Sequence, residues 1–355
     1  MLYGEVKIMV KINEYKTYEG SDCFLGCIQN YLLLYQNLVD ECNIFFEGNG
    51  FDLTYILNED DKYSIKFKAH INESVYKYCD KYGVKLQKKK FKDIKVADKE
   101  LLEDLKKNHI VIKLNAENLK YNDVFKYSFS VTHYINLLSY DFNKNRAYIS
   151  DGFIPKYPRE IYQGWYNYKD LRYAREKVEY EYIVVEKDSL QDIYEKLNKC
   201  EVNKRLYNCV IDNIRRYIRG GKDKDAYHGI DAIEHFIDKI SGLVVDDAEE
   251  FSKNIYKIHL KLGVNGFINI KSLLAKTILK LGQEFTDKNL IKMSEELQEI
   301  YEKWIYINRS FIKCSISKRQ KDIDIIAERM NKLFQTEYNL YKKLLLYMDK
   351  NEVKL

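Results

Sequence analysis

The sequence predicts an α+β protein in which a mixed N-terminal half is followed by an all-helical C-terminal half. Three observations predict it. Phe129–Asp141 and Arg146–Phe153 alternate as the arms of a β-hairpin around Phe142-Asn143-Lys144-Asn145. Residues 189–349 carry almost no strand signal and repeat their apolar positions with the period of a helix. Glycines break that half at Gly220-Gly221 and again at Gly263 and Gly266.

In order along the chain, residues 5–12 alternate as a strand. Residues 23–38 follow as a helix, apolar at Phe24, Cys27, Ile28, Tyr31, Leu32, Leu34 and Tyr35. Asp22 stands at its N-cap position, where a carboxylate oxygen accepts from the free N–H groups of the first turn. Glu47-Gly48-Asn49-Gly50 marks a turn, with strands at 51–57 and 64–68 beyond it. Residues 72–82 form a helix that Gly83 stops as a C′ glycine. Strands at 84–87 and 110–114 flank a helix at 99–107, and the hairpin and a strand at 179–186 complete this half. Helices then cover 189–219, 227–240, 247–260, 266–281, 287–315 and 318–349. The expected division is a domain of residues 1–188 and a helical domain of 189–355.

Composition narrows the function classes. The chain has 355 residues, 46% hydrophobic and 32% charged, with a net charge of +5. That charge is thin over this length and does not indicate a nucleic-acid binder. The start carries no basic segment leading into an apolar one, and no apolar run is long enough to span a membrane. The expectation is a cytoplasmic protein whose seven cysteines are reduced and form no disulfide framework. The 32 tyrosines and 2 prolines read first as coding bias, with a Tyr-lined surface as the alternative. Lys81–Lys92 holds six lysines and no acid. It reads as a solvated face by default, or as a docking surface for an acidic protein through Lys88, Lys89 and Lys90. Phosphate-binding and dinucleotide glycine motifs are absent.

The chemistry concentrates around Gly20-Ser21-Asp22-Cys23-Phe24-Leu25-Gly26-Cys27-Ile28-Gln29-Asn30. Zinc would need a second cysteine pair or converging histidines, and neither is present, so no metal site is expected. Cys23 falls at the helix start, where the dipole and free N–H groups favour a thiolate. Cys27, one turn deeper on the apolar side, reads as core. A nucleophilic cysteine needs a base, and His133 lies in the hairpin on the same face as Val131 and Ile135. It is either that base or a core histidine bonded to a carbonyl. If paired residues of the hairpin have numbers summing to about 286, Asp151 faces Ile135 and lies diagonal to His133. A carboxylate there would fix the imidazole tautomer; a one-residue slip would turn it to the other face, leaving Asp151-Gly152 as a strand-end turn. His70, His109, His228, His235 and His259 read as structural or solvated.

The order Cys, His, Asp resembles papain-like cysteine enzymes, and more narrowly the BtrH-like acyltransferase family of the butirosin-biosynthesis type. The residues that carry the resemblance are Cys23, Asn30 seven positions on, Leu32, Glu41, Glu47-Gly48-Asn49-Gly50-Phe51, His133-Tyr134 and Ser150-Asp151-Gly152. In the helical half they are Tyr227-His228-Gly229-Ile230-Asp231-Ala232-Ile233, the break before Phe267, and Leu297–Trp304. Asn49 and Phe51 depart from the small or aliphatic residues expected in the glycine-rich turn, which alters the shape expected of the nearby pocket. The resemblance implies a papain-like core with a helical domain covering or shaping the substrate site. It implies an amide synthase that draws an acyl group from the phosphopantetheine thioester of an acyl or peptidyl carrier protein, in thiotemplated (nonribosomal) natural-product biosynthesis. The acyl group passes through Cys23 to a small amine or diamine. His133 is then the acid–base, Asp151 its orienting group, and the Cys23 amide with Ser21 or Asp22 the oxyanion and neighbouring groups. No bound cofactor, nucleic acid or membrane is expected, and an oligomer is open. The rivals are a cysteine peptidase or thioesterase, and a non-catalytic binding protein on a degenerate papain-like fold.

Overall fold

The computed structural model describes residues 15–35, 38–57, 66–127, 131–156, 159–191, 199–264 and 266–351. The strand expected at 5–12 lies outside them. The fold is α+β with two antiparallel sheets and a helical C-terminal region. Its elements are α1 (Cys23–Leu32), α2 (Glu41–Glu47), β1 (Leu53–Ile56), β2 (Lys66–Ala69), α3 (Ile71–Lys81), β3 (Leu86–Lys89), α4 (Ile94–Leu105), β4 (His109–Asn115), β5 (Thr132–Asp141), β6 (Arg146–Ile154), β7 (Glu160–Asn167), α5 (Tyr168–Glu176), β8 (Tyr182–Val185) and α6 (Lys187–Gln191). Beyond these come α7 (Lys199–Arg219), β9 (Gly221–Lys222), β10 (Ala226–His228), α8 (Gly229–Ser241), α9 (Ala248–Val264), α10 (Phe267–Glu284), α11 (Lys288–Ser317) and α12 (Gln320–Asn351).

Backbone contacts divide the chain into two compact units, residues 1–44 with 75–198 and residues 45–74 with 199–355. The sequence suggested one crossing near residue 188; the chain instead passes between units at 44/45, 74/75 and 198/199. The reason is strand pairing. β1 finds its second neighbour in β10, with Thr54 opposite His228 and Tyr55 opposite Tyr227. A strand of three residues leaves no readable period, so residues 226–228 looked like the start of a helix.

In the first unit the six-stranded sheet runs β3-β8-β4-β5-β6-β7. One face carries Ile110, Ile112 and Leu114 of β4, Ile135 and Leu137 of β5, and Ala147 and Ile149 of β6. These pack with Leu101 and Leu105 of α4 and Leu171 and Ala174 of α5. α1 lies on the opposite face, where Asn136 donates to the Cys27 carbonyl at 3.0 Å. α3 ends as its glycine predicts: Gly83 has φ +73° and Val84 N–H returns to the Cys79 carbonyl at 2.8 Å.

The hairpin register decides what faces what. Near the site the pairs are Asn136 with Ser150 and Leu137 with Ile149, so the numbers sum to 286. Towards the turn they sum to 287, as in Asp141 with Arg146, and an irregularity between Leu137 and Ser139 absorbs the extra residue. Without that bulge Asp151 would fall on the α1 face of the sheet. With it, Asp151 shares the face of His133.

The second unit holds the sheet β2-β1-β10-β9 and helices α7 to α12. Phe51 is fully buried between the rings of Phe46 and Tyr217, and its N–H donates to Asn213 at 3.2 Å. The departure at this position thus fills core. Deep among the helices, Glu337 accepts from the Lys271 ammonium, the Trp304 indole and the Tyr341 hydroxyl, all buried. Burial pulls the Lys271 ammonium below its ordinary pKa even with Glu337 beside it.

Candidate active site

The loop before α1 is tied down at nearly every backbone group. Tyr18 N–H donates to Asn30 Oδ1 at 2.7 Å, and Asn30 Nδ2 returns to the carbonyls of Tyr18 and Gly26. Gln29 donates to the Glu19 carbonyl at 3.3 Å. Gly20 N–H donates to the Gly152 carbonyl at 2.8 Å, and Arg159 donates to the Gly20 carbonyl at 2.7 Å. Ser21 donates its N–H and hydroxyl to the two oxygens of Glu41, at 2.5 and 2.8 Å. A Cβ at Gly152 would stand 2.6 Å from the Tyr18 carbonyl oxygen, so only glycine lets β6 approach this loop. The seven-residue spacing from Cys23 to Asn30 therefore has a physical reason: the amide side chain two turns along α1 reaches back to hold the loop that delivers Cys23.

Asp22 caps α1, its carboxylate accepting from Phe24 and Leu25 N–H at 2.9 and 3.2 Å. Burial raises its pKa against those bonds. Cys23 is the first helical residue and is partly exposed, whereas Cys27 is buried. The backbone amide of Tyr134 lies near enough to the Cys23 sulfur to pull the thiol's pKa down. The last β5–β6 pair is Asn136 with Ser150, so Tyr134 lies beyond that pairing and faces Lys113 of β4. His133, the preceding residue, is 4% exposed, and its Nε2 lies 2.8 Å from Asp151 Oδ2. No hydrogen bond joins the thiol to the imidazole among the described residues. The structure thus brings His133 and Asp151 into contact and places Cys23 near the backbone of Tyr134, the residue after His133.

The dipole at the helix start favours a thiolate at Cys23, and burial works against it. Burial, then the charge of Asp22, push the Cys23 thiol well above its ordinary pKa, outweighing the Tyr134 and Phe24 amides. Cys27 is raised too, by burial and by Cys23.

Other residues singled out in the sequence take different places. The Ser21 hydroxyl donates to Glu41, so Ser21 latches the loop. Asp22 serves as the N-cap acceptor beside Cys23. Lys88 pairs with Glu181 at 3.0 Å, Lys89 with Asp104 at 2.7 Å, and Lys90 with Glu179, so this run carries much less uncompensated charge than its sequence suggests. His109 is a buried packing residue, stacked on Tyr31 and 2.6 Å from the Tyr35 hydroxyl, with burial lowering its pKa to about 4.

Sequence reasoning missed Tyr121 and Arg159, and gave Gln29 no role. Their partners lie 10 to 139 residues away, so no local pattern marks them. Among the described residues no three His, Cys, Asp or Glu side chains converge to hold a metal ion. No described helix is long and apolar enough to cross a membrane. No protein-family model matches the chain, and no curated protein matches it.

Proposed function

We propose that the chain is a papain-like cysteine acyltransferase that forms amide bonds by way of an acyl-Cys23 intermediate. The observation that carries the reading is the convergence at one end of β5: a helix-start thiol near the Tyr134 backbone, and at the residue before it an imidazole whose Nε2 is held by a buried carboxylate. With Nε2 engaged by Asp151, Nδ1 is the nitrogen left to serve the thiol.

Attack passes the thiol proton of Cys23 to His133 as the sulfur closes on a thioester carbonyl. The Cys23 backbone N–H, at the first position of α1, is the candidate oxyanion donor. Collapse breaks the carbon–sulfur bond to the carrier, and His133 returns the proton to the departing thiol. An amine then attacks the acyl-cysteine, His133 takes its proton, and Cys23 leaves and is reprotonated. Asp151 keeps the imidazole oriented through both halves.

The resemblance of the Cys23–Asn30, His133 and Asp151-Gly152 motifs to the BtrH-like family supports a carrier-protein phosphopantetheine thioester as donor and a small amine as acceptor. The Phe24 ring, next to Cys23 in the chain, stands 5.0 Å from Tyr134 and 5.4 Å from Tyr76. A free-thiol nucleophile and a carrier donor suit a cytoplasmic setting.

Single-turnover kinetics test the reading. Acyl-Cys23 enzyme, formed from an acyl-carrier thioester, is expected to decay much faster when amine is added, with amide as product. Equal decay with and without amine would make the chain a thioesterase or peptidase instead. Absence of any acyl-enzyme across donors would favour a binding protein.

A further inference from the structure

We infer that Tyr121 is a positioning residue for the His133–Asp151 pair, sharing with His133 the same carboxylate oxygen. The role in turnover rests on the acyl-cysteine reading; the relay geometry does not. Asp151 is fully buried and has three donors. His133 Nε2 and the Tyr121 hydroxyl meet Oδ2 at 2.8 and 2.7 Å, and Phe153 N–H meets Oδ1 at 2.9 Å. Together they fix the plane of the carboxylate.

The Tyr121 ring is itself held. It stacks on Tyr162 at 4.5 Å, and Tyr162 pairs with Asp151 across β6 and β7. Phe125 meets the Tyr121 ring edge-on at 5.3 Å and lies 5.1 Å from the His133 ring. Satisfying a buried carboxylate would need a donor to either oxygen; here the hydroxyl takes the oxygen that also serves the imidazole. Two donors on one oxygen share its charge, so Tyr121 limits how firmly Asp151 holds an imidazolium. That favours return of the proton to the leaving group. Burial and the charge of Asp151 keep the phenol proton in place far above neutral pH.

The test is Tyr121→Phe, which keeps the stacked ring and removes the hydroxyl. The readout is the proton resonance of His133 Nε2–H, identified by its loss in His133→Gln. In Tyr121→Phe the resonance is expected to move downfield, because Oδ2 then serves His133 alone. Replacement of Tyr121 by 3-fluorotyrosine, a near-isosteric and more acidic donor, is expected to move it upfield, and keeps the test open if the phenylalanine variant folds poorly. A resonance that stays in place in both would overturn the inference. This measurement needs no substrate, so it stands whether or not the chain transfers acyl groups. Where transfer occurs, Tyr121→Phe is expected to lower kcat about tenfold with KM held; a change in KM alone would assign Tyr121 to binding.

Discussion

Asn30 is the residue whose removal tests the site's architecture most sharply. It is buried and makes three hydrogen bonds, at 2.7, 2.9 and 3.2 Å, two of them to Tyr18. At about 1 kcal/mol net for each bond, Asn30→Ala should lose about 3 kcal/mol. In a unit of this size that corresponds to a fall in Tm of about 6–12 °C. The larger effect should be on reactivity. The Tyr18–Ser21 loop leads directly into Cys23, and a displacement of about 1 Å at a reacting group costs on the order of a hundredfold in rate. Asn30→Asp separates the two roles of the side chain. It keeps an acceptor for Tyr18 N–H but sets a carboxylate oxygen against the Tyr18 and Gly26 carbonyls, so at pH 7 it should be less stable than the alanine variant. The assays are denaturant unfolding and the rate of acyl-enzyme formation, measured well below the midpoint. Stability within about 0.5 kcal/mol of the parent, together with an unchanged acylation rate, would refute the claim that Asn30 positions the nucleophile.

Two further outcomes follow from the packing. Glu337→Gln should destabilise the helical unit by about 3–5 kcal/mol, because it leaves the Lys271 ammonium buried without its counter-charge. Adding Lys271→Met should recover much of that loss, and denaturant unfolding of both variants checks it. Stability should also fall as pH rises above about 9. Burial raises the Cys79 thiol to about 12, so between the unfolded and folded values the unfolded chain releases a proton that the folded chain retains. By the upper end of that window this single group withdraws about 4 kcal/mol, and Cys79→Ala should flatten the decline in urea midpoints measured from pH 8 to pH 11.

Much of the fold was legible because its signals are local. The helices α8 to α12 announce themselves by period and by glycine breaks, and Gly83 and Asp22 act where their chemistry places them. The His133–Asp151 contact was legible because a hairpin turns sequence distance into register. What escaped was non-local or faint. β7 (Glu160–Asn167) alternates only weakly, with Gly164 in its middle, and was passed over with α5 behind it. β1 and β2 looked like part of the first unit until β10 paired with β1. At the site, the helix start was legible as a position, but the burial that opposes its dipole at Cys23 was not, because the dipole is a local property and burial belongs to the folded chain.

The most direct test of the central claim is intact-mass spectrometry of the protein incubated with acyl-carrier thioesters. The account expects a mass gain equal to the acyl group, absent from Cys23→Ala and retained in Cys27→Ala. A gain that persists in Cys23→Ala, or that disappears in Cys27→Ala alone, would contradict it.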